Sequence, residues 1–366
     1  MSHLRGASAA PTGRACGTVV VVHAERHVDE VPSVDLGPLR DPHADDASRD
    51  RVAEQIAAAC RRFGFLQLVG HGVDPALRRR LHDVAEDFFA LDEHAKAALA
   101  MARGGRAWRG WFPVGGELTS GVPDGKEGIY FGSELAADDP RVRAGLPLHG
   151  PNLFPEQPAE MRDVVLEWMA QLTTVGRVVL SGIARSFDLD DDWFDRWCAE
   201  PTVLFRIFHY PPPPPGFAGR WGVAEHTDYG LLTLLVQDDT GGLEVRVDDE
   251  WVTVPPVDDA IVCNLGDMLE RVTGGRFRST PHRVRLPERD RYSFPLFLDP
   301  AWDAELGPLP GCEPTERALA DAAAGRWDGR SVFDVDGTYG DYLLDKVSRV
   351  FPELFTATVD GPPPTD

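Results

Sequence analysis

The sequence predicts an α+β fold: a jelly-roll core, or double-stranded β-helix, flanked by N-terminal helices and a C-terminal helix. Two observations carry this. Residues 31–200 hold long segments with apolar residues at helical spacing. From Thr202 the pattern turns to short strand-like runs at 203–210, 231–237, 243–247, 251–254, 260–264, 282–286 and 291–298, parted by Gly, Pro and Asp clusters. Short strands so spaced read as a sandwich or barrel. Helices before and after make the whole an α+β chain around a jelly roll.

In chain order, residues 1–30 read as a flexible tail with a short strand at Thr18–His23. Val31-Pro32-Ser33-Val34-Asp35-Leu36 is a first strand with an edge proline. Ser48 is placed to cap a helix reaching Arg62, with Val52, Ile56, Cys60 and Phe63 at helical spacing. Gly64–Val69 reads as a buried strand. Pro75 opens a helix to about Leu91, because proline suits a first turn. Residues 102–155 are rich in Gly and Pro and read as a long, functional loop region. A helix from about Ala159 to Phe187 carries Trp168, Leu172, Val175, Val179 and Ile183 along one stripe. Pro211–Pro215 reads as a stiff loop between core strands. Tyr339–Val350 is a late helix. The expected division is a tail at 1–30, a mostly helical region at 31–200, the jelly-roll core at 201–300, a C-terminal helical region at 301–356 and a tail at 357–366.

The chain has 366 residues, 37 Lys and Arg against 59 Asp and Glu, and a net charge of −22. Such a surface repels phosphate backbones and anionic membrane, so no nucleic-acid or membrane partner is expected. No apolar run approaches the roughly 20 residues that span a bilayer, and no signal peptide is read at the N-terminus. The five cysteines are odd in number, widely spaced and lack a CxxC pair. That suits free thiols in a reducing cytoplasm. Oligomeric state is silent.

His-x-Asp occurs three times: His27-Val28-Asp29, His43-Ala44-Asp45 and His226-Thr227-Asp228. Only the third abuts an apolar strand. In an extended strand, residues two apart share a face, roughly 7 Å along. His226 and Asp228 then supply two thirds of a 2-His-1-carboxylate triad, the site that holds non-haem Fe(II) and leaves positions open. His282, 54 residues after Asp228, heads a later strand and is the candidate third ligand. Arg291 and Ser293 follow, two apart on a strand. A guanidinium aimed into a barrel needs an anion, and a carboxylate fits its fork.

These residues resemble the isopenicillin N synthase-like family of Fe(II)/2-oxoglutarate dioxygenases. The resemblance spans most of residues 31–355. It includes Gly70-His71-Gly72-Val73, Gly241-Gly242-Leu243, Asn264-Leu265-Gly266-Asp267 and Thr280-Pro281-His282-Arg283-Val284. It implies that His226, Asp228 and His282 bind iron and are catalytic. It implies that Arg291 and Ser293 bind the distal carboxylate of 2-oxoglutarate, with Tyr210 beside it. O₂ and ascorbate are the implied co-substrate and reductant; succinate and CO₂ are the implied products. Plant members usually carry Asn where this chain has Phe208. Phe208, the nine-residue offset from His282 to Arg291, and the loop Gly116-Glu117-Leu118-Thr119 resemble the microbial ethylene-forming-enzyme branch. There Arg206 is implied near the oxoglutarate, and Glu117, Thr119 and Arg349 near the substrate; Tyr229 and Phe208 are read as substrate-side aromatics. Ethylene formation itself is not implied. Phe112 and Phe297 are further aromatics expected near the pocket.

The reading is an oxygenase that hydroxylates a small carboxylate-bearing molecule, such as an amino acid or secondary metabolite. Its rivals are a same-fold iron oxidase that does without 2-oxoglutarate, a non-catalytic small-ligand receptor and a scaffold using the polyproline segment. Arg291 with Ser293 argues against the first, and the complete triad against the other two.

Overall fold

The computed structural model describes residues 30–213, 221–321, 326 and 329–359. The expected strand at Thr18–His23, the motif His27-Val28-Asp29, Pro214, Pro215 and the last residues of the chain lie outside them. In chain order the strands are β1 (Ser33–Asp35), β2 (Phe65–Val69), β3 (Gly110–Phe112), β4 (Leu118–Thr119), β5 (Val122–Pro123), β6 (Glu127–Gly132) and β7 (Thr202–Tyr210). They continue as β8 (Val223–His226), β9 (Leu232–Gln237), β10 (Leu243–Val247), β11 (Glu250–Thr253), β12 (Ile261–Leu265), β13 (His282–Val284) and β14 (Arg291–Asp299). Among the described residues, a larger sheet runs β1-β2-β12-β9-β14-β7-β6-β3 and a smaller one β11-β10-β13-β8. Among the described strands, only β1 and β2 pair in parallel. Two antiparallel-rich sheets flanked by helices are the predicted α+β jelly roll.

Strand alternation decides what each sheet shows to the interior. On β14, Phe294, Leu296 and Leu298 point one way. The helix Met161–Arg185 packs on that side so closely that a Cβ on Gly176 would lie 2.5 Å from Leu298. Arg291, Ser293, Pro295, Phe297 and Asp299 point the other way. Each faces an alternate residue of β7, with Arg291 opposite Tyr210, Ser293 opposite Phe208 and Phe297 opposite Leu204. The apolar side of the sheet thus takes the helices. Trp168 on the long helix is fully buried there.

Several expectations are corrected. The helix Asp46–Arg62 is capped by Asp45, whose carboxylate accepts from the Ser48 N–H; Ser48 is a first-turn residue. The region 102–155 is not only loop. It contains β3 to β6, and β6 is buried along its whole length between β3 and β7. Strand β8 was not anticipated, and it ends at His226; Asp228 lies in the link to β9. The late helix is Tyr339–Val347, so Arg349 falls in the turn beyond it. Cys60, Cys198, Cys263 and Cys312 are buried free thiols, as expected. Among the described residues, no helix is long and apolar enough to cross a membrane.

Gly64 joins the helix Asp46–Arg62 to β2 at φ 64°. A Cβ there would meet the Arg278 carbonyl oxygen at 2.4 Å and Thr280 Oγ1 at 2.3 Å. Gly64→Ala should therefore cost more than the ~1–2 kcal/mol of left-handed strain alone. Urea denaturation checks this; a loss within about 0.5 kcal/mol, the level of an ordinary surface substitution, would contradict the close approach.

Candidate active site

The smaller sheet brings two histidines together. His226 ends β8 and His282 opens β13, and they are cross-strand partners with ring centroids 4.2 Å apart. Each Nδ1 sits against the carbonyl two residues back, Ala224 at 2.8 Å and Thr280 at 3.1 Å. A carbonyl only accepts, so each Nδ1 carries the proton and each Nε2 presents a lone pair. Both Nε2 atoms face Asp228 Oδ1, at 3.7 and 3.8 Å. That is too long for a hydrogen bond and short enough for a shared cation. The three ligand atoms lie within 4.8 Å of one another.

Asp228 is fixed from several sides. Its Oδ2 accepts from Thr233 Oγ1 at 2.5 Å and Asn264 Nδ2 at 2.6 Å, leaving Oδ1 for the cluster. Its carbonyl accepts from the Asp267 N–H at 2.8 Å. Gly266 permits this approach, since a Cβ there would lie 2.3 Å from the Gly230 oxygen. Burial pushes the Asp228 carboxyl up, but the two imidazoles, Thr233 and Asn264 together hold it below the usual range. Burial and the neighbouring His226 push His282 down to about 4. A carboxylate and a neutral imidazole are the forms that bind a metal.

The larger sheet supplies a buried cation. Arg291 is 1 % exposed, and its Nε donates to the Gly241 carbonyl at 2.5 Å. Nη1 and Nη2 are buried with no hydrogen-bond partner. The guanidinium lies 4.6 Å over the Tyr210 ring. Such an orphaned charge is costly unless an anion answers it. The donor set therefore fits a divalent iron at the three ligands and a carboxylate at Arg291.

Between the sheets lies a cavity of about 120 Å³. His226, Asp228, His282, Ser293, Tyr210, Arg206, Phe208, Tyr229, Phe297, Glu117 and Thr119 all line it. Arg291 and Phe112 do not: Arg291 stands behind Tyr210, and the Phe112 ring packs against Tyr130, Phe208 and Phe351. Arg349 does not either: its guanidinium pairs with Asp345 at 3.1 Å, one helical turn back. Glu117 reaches the cavity but is not a free anion. Lys126 Nζ lies 2.7 Å from its Oε2, Tyr130 donates to its Oε1, and Arg206 stands 3.7 Å away. Burial pushes Glu117 up, yet Lys126 and Arg206 outweigh it and hold the carboxyl low. Lys126 also bonds Asp124, which accepts from Thr119 Oγ1 at 2.7 Å. Lys126, Tyr130, Thr233, Asn264 and Asp299 line the cavity without having been singled out from the sequence as site residues. Tyr130 became visible only with β6, and Lys126 immediately before it lies at the alternate position on the same face. Asn264 and Thr233 required knowing which strands flank Asp228.

Residues 31–157 match the family described as non-haem dioxygenase in morphine synthesis, N-terminal. Residues 201–300 match the 2OG-Fe(II) oxygenase superfamily. A Dictyostelium discoideum protein named as an iron/ascorbate oxidoreductase is 41 % identical, over 89 % of this chain and 96 % of its own. The 2-oxoglutarate-dependent dioxygenase citB of Monascus ruber is 35 % identical, over 88 % and 95 %. The crystal structure of a 2OG-Fe(II) oxygenase family protein from Caulobacter crescentus superposes with a TM-score of 0.71 at 29 % identity, covering 87 % of this chain and 98 % of that one.

The support of Asp228 can be tested apart from the ligands. Asn264→Leu or Thr233→Val should weaken Fe(II) binding roughly ten- to a hundredfold, the usual effect of losing a bond that orients a ligand. Anaerobic metal titration checks it. Unchanged affinity in both variants would mean that Asp228 needs no such support.

Proposed function

The chain belongs to the isopenicillin N synthase-like family within the 2OG-Fe(II) oxygenase superfamily, and from this premise we propose that its cavity hydroxylates a small polar metabolite bearing a carboxylate. The protein is a non-haem Fe(II)- and 2-oxoglutarate-dependent oxygenase acting on small molecules. The finer assignments are ours. His226, Asp228 and His282 are the iron ligands. Arg291 and Ser293 take the distal carboxylate of 2-oxoglutarate, Tyr210 packs beneath that arginine, and Arg206 borders the co-substrate. The orphaned guanidinium of Arg291 is the observation that carries this and disfavours the oxidase reading. Ascorbate is the reductant we assign. The cytoplasm is the compartment, in keeping with the buried free thiols. The acidic surface makes nucleic acid an unsuitable partner. The N-terminal region 31–200 and the core 201–300 are proposed as the two main parts of one catalytic unit, with 301–356 completing it.

When bound, iron and 2-oxoglutarate supply the oxidation, consuming O₂ and releasing succinate and CO₂. The chain's own residues do the rest. Ala224 and Thr280 fix the histidine tautomers, and Thr233 and Asn264 orient the carboxylate. Phe208, Tyr229 and Phe297 give the cavity apolar walls, which exclude water and leave a few polar groups to orient the ligand. Arg349 is no longer a candidate for the substrate carboxylate, because Asp345 holds it outside the cavity. Arg206 takes over that role: its guanidinium lies between the Tyr130 and Phe297 rings, at 4.0 and 4.7 Å. Glu117 and Thr119 remain substrate-side residues, acting through their network with Lys126 and Asp124.

Arg291→Ala should weaken 2-oxoglutarate about a hundredfold, some 3 kcal/mol for a lost charge-assisted pair, and leave Fe(II) affinity within about twofold. His226→Ala, Asp228→Ala and His282→Ala should each abolish metal-dependent succinate release. Spectroscopic titration and a succinate assay over small acids measure both. An unchanged 2-oxoglutarate affinity in Arg291→Ala would turn the reading to the oxidase.

A further inference from the structure

The inward row of β14 is polar at both ends. Arg291 and Asp299 close it, eight residues apart, or about 27 Å between Cα atoms at ordinary strand rise. The triad lies over the row between them, since Thr233, which holds Asp228, pairs with Phe297. A five-carbon diacid that runs from the triad toward Arg291 points away from Asp299. The Asp299 end is therefore left to the substrate, a step that rests on the co-substrate placement proposed above.

Asp299 is 3 % exposed and lines the cavity. Tyr339 donates to its Oδ2 at 2.5 Å. Its Oδ1 is buried and has no hydrogen-bond partner. Burial pushes its carboxyl up to about 7 in spite of Tyr339. Gly230, also in the cavity wall, makes the room: a Cβ there would fall 1.5 Å from Oδ1. Arg206, on the neighbouring strand, has a buried Nε that likewise lacks a partner. Buried donors and acceptors are almost always answered, and an unmade bond costs more than a made one contributes. The mechanism assigns no role to Asp299.

We propose that Asp299 selects the substrate: its Oδ1 accepts a hydrogen bond from an N–H or O–H group of the primary substrate, while Arg206 donates to an acid or carbonyl oxygen of the same molecule. The substrate class is then a small acid that also carries a hydrogen-bond donor, such as an amino acid, a hydroxy acid or a lactam acid. A hydrocarbon or a simple ester is excluded.

The probes are matched pairs that differ in the donor: free α-amino acids with their N,N,N-trimethyl betaines, and pyroglutamate with its N-methyl form. Each is titrated by ligand-observed NMR into full-length protein loaded with Zn(II) and 2-oxoglutarate. In the wild type, at least one donor-bearing member should bind roughly tenfold or more above its methylated partner, the size of one buried hydrogen bond. Asp299→Leu should remove that preference, and Asp299→Asn should reduce it severalfold. Tyr339→Phe, which cuts the tether but spares the acceptor, should keep it. Three results would overturn the proposal: no pair discriminated by the wild type, whether or not any probe binds; the preference surviving in Asp299→Leu; or its loss in Tyr339→Phe as completely as in Asp299→Leu, which would make the residue structural. The 2-oxoglutarate affinity of the same samples separates the two readings. Its absence in the wild type sinks the co-substrate placement, whereas normal affinity without discrimination sinks only the role of Asp299.

Discussion

A charge cannot be left unanswered between two packed sheets, and that constraint orders this protein. The interior of the jelly roll holds Asp228, Arg291, Lys126, Glu117, Asp124 and Asp299, all with little or no exposure. Some are answered within the chain: Lys126 stands between Glu117 and Asp124, and Thr233 with Asn264 takes one oxygen of Asp228. Others are answered only in part. Arg291 keeps two idle nitrogens, Asp228 one oxygen and Asp299 another. Isolated buried charge is expensive, and in the proposed reading ligands answer these remainders: a cation at the triad, an anion at Arg291 and a donor at Asp299.

The two sheets divide this labour. The smaller sheet contributes the histidines, whose proximity follows directly from β8 and β13 being antiparallel neighbours. The larger sheet contributes β14, whose outward residues take the helical layer and whose inward residues face the ligands. Asp228 belongs to neither sheet. It sits where the chain crosses between them, held by the Asp267 N–H at a backbone approach that Gly266 allows. Iron binding therefore couples both layers through one carboxylate, and a shift in packing at either layer reaches the ligand geometry.

What could be read from the sequence was what residue type alone specifies. An imidazole and a carboxylate two residues on, set against an apolar strand and followed by a later histidine, point to a metal, so the triad is legible. So are most strands from Thr202, because alternation and turn residues mark them. β6 is not. Its Gly128 and Gly132 read as loop, yet each is there for space: a Cβ on Gly128 would meet the Phe112 and Phe208 rings near 2.8 Å, and one on Gly132 would strike Arg109. Missing β6 hid Lys126 and made Glu117 look like a free acid. Asp45 and Ser48 are both good caps, three residues apart, and only the backbone chooses between them. Arg349 lies just past the nine-residue helix, pairs with Asp345 four residues back and does not line the cavity.

The order of residues along β14 also bears on why this cavity can carry out an oxidation cleanly. Charge stands at the two ends, and Pro295 and Phe297 hold the middle beneath the triad. Polar anchors at the ends can bind co-substrate and substrate from opposite directions, with Arg206 between them. Anchoring at a distance fixes which C–H faces the metal, because a small molecule gripped at one end by Arg206 and at the other by Asp299 has little freedom to turn. Regioselectivity would then be set by the length between those two anchors rather than by the shape of the wall nearest the iron.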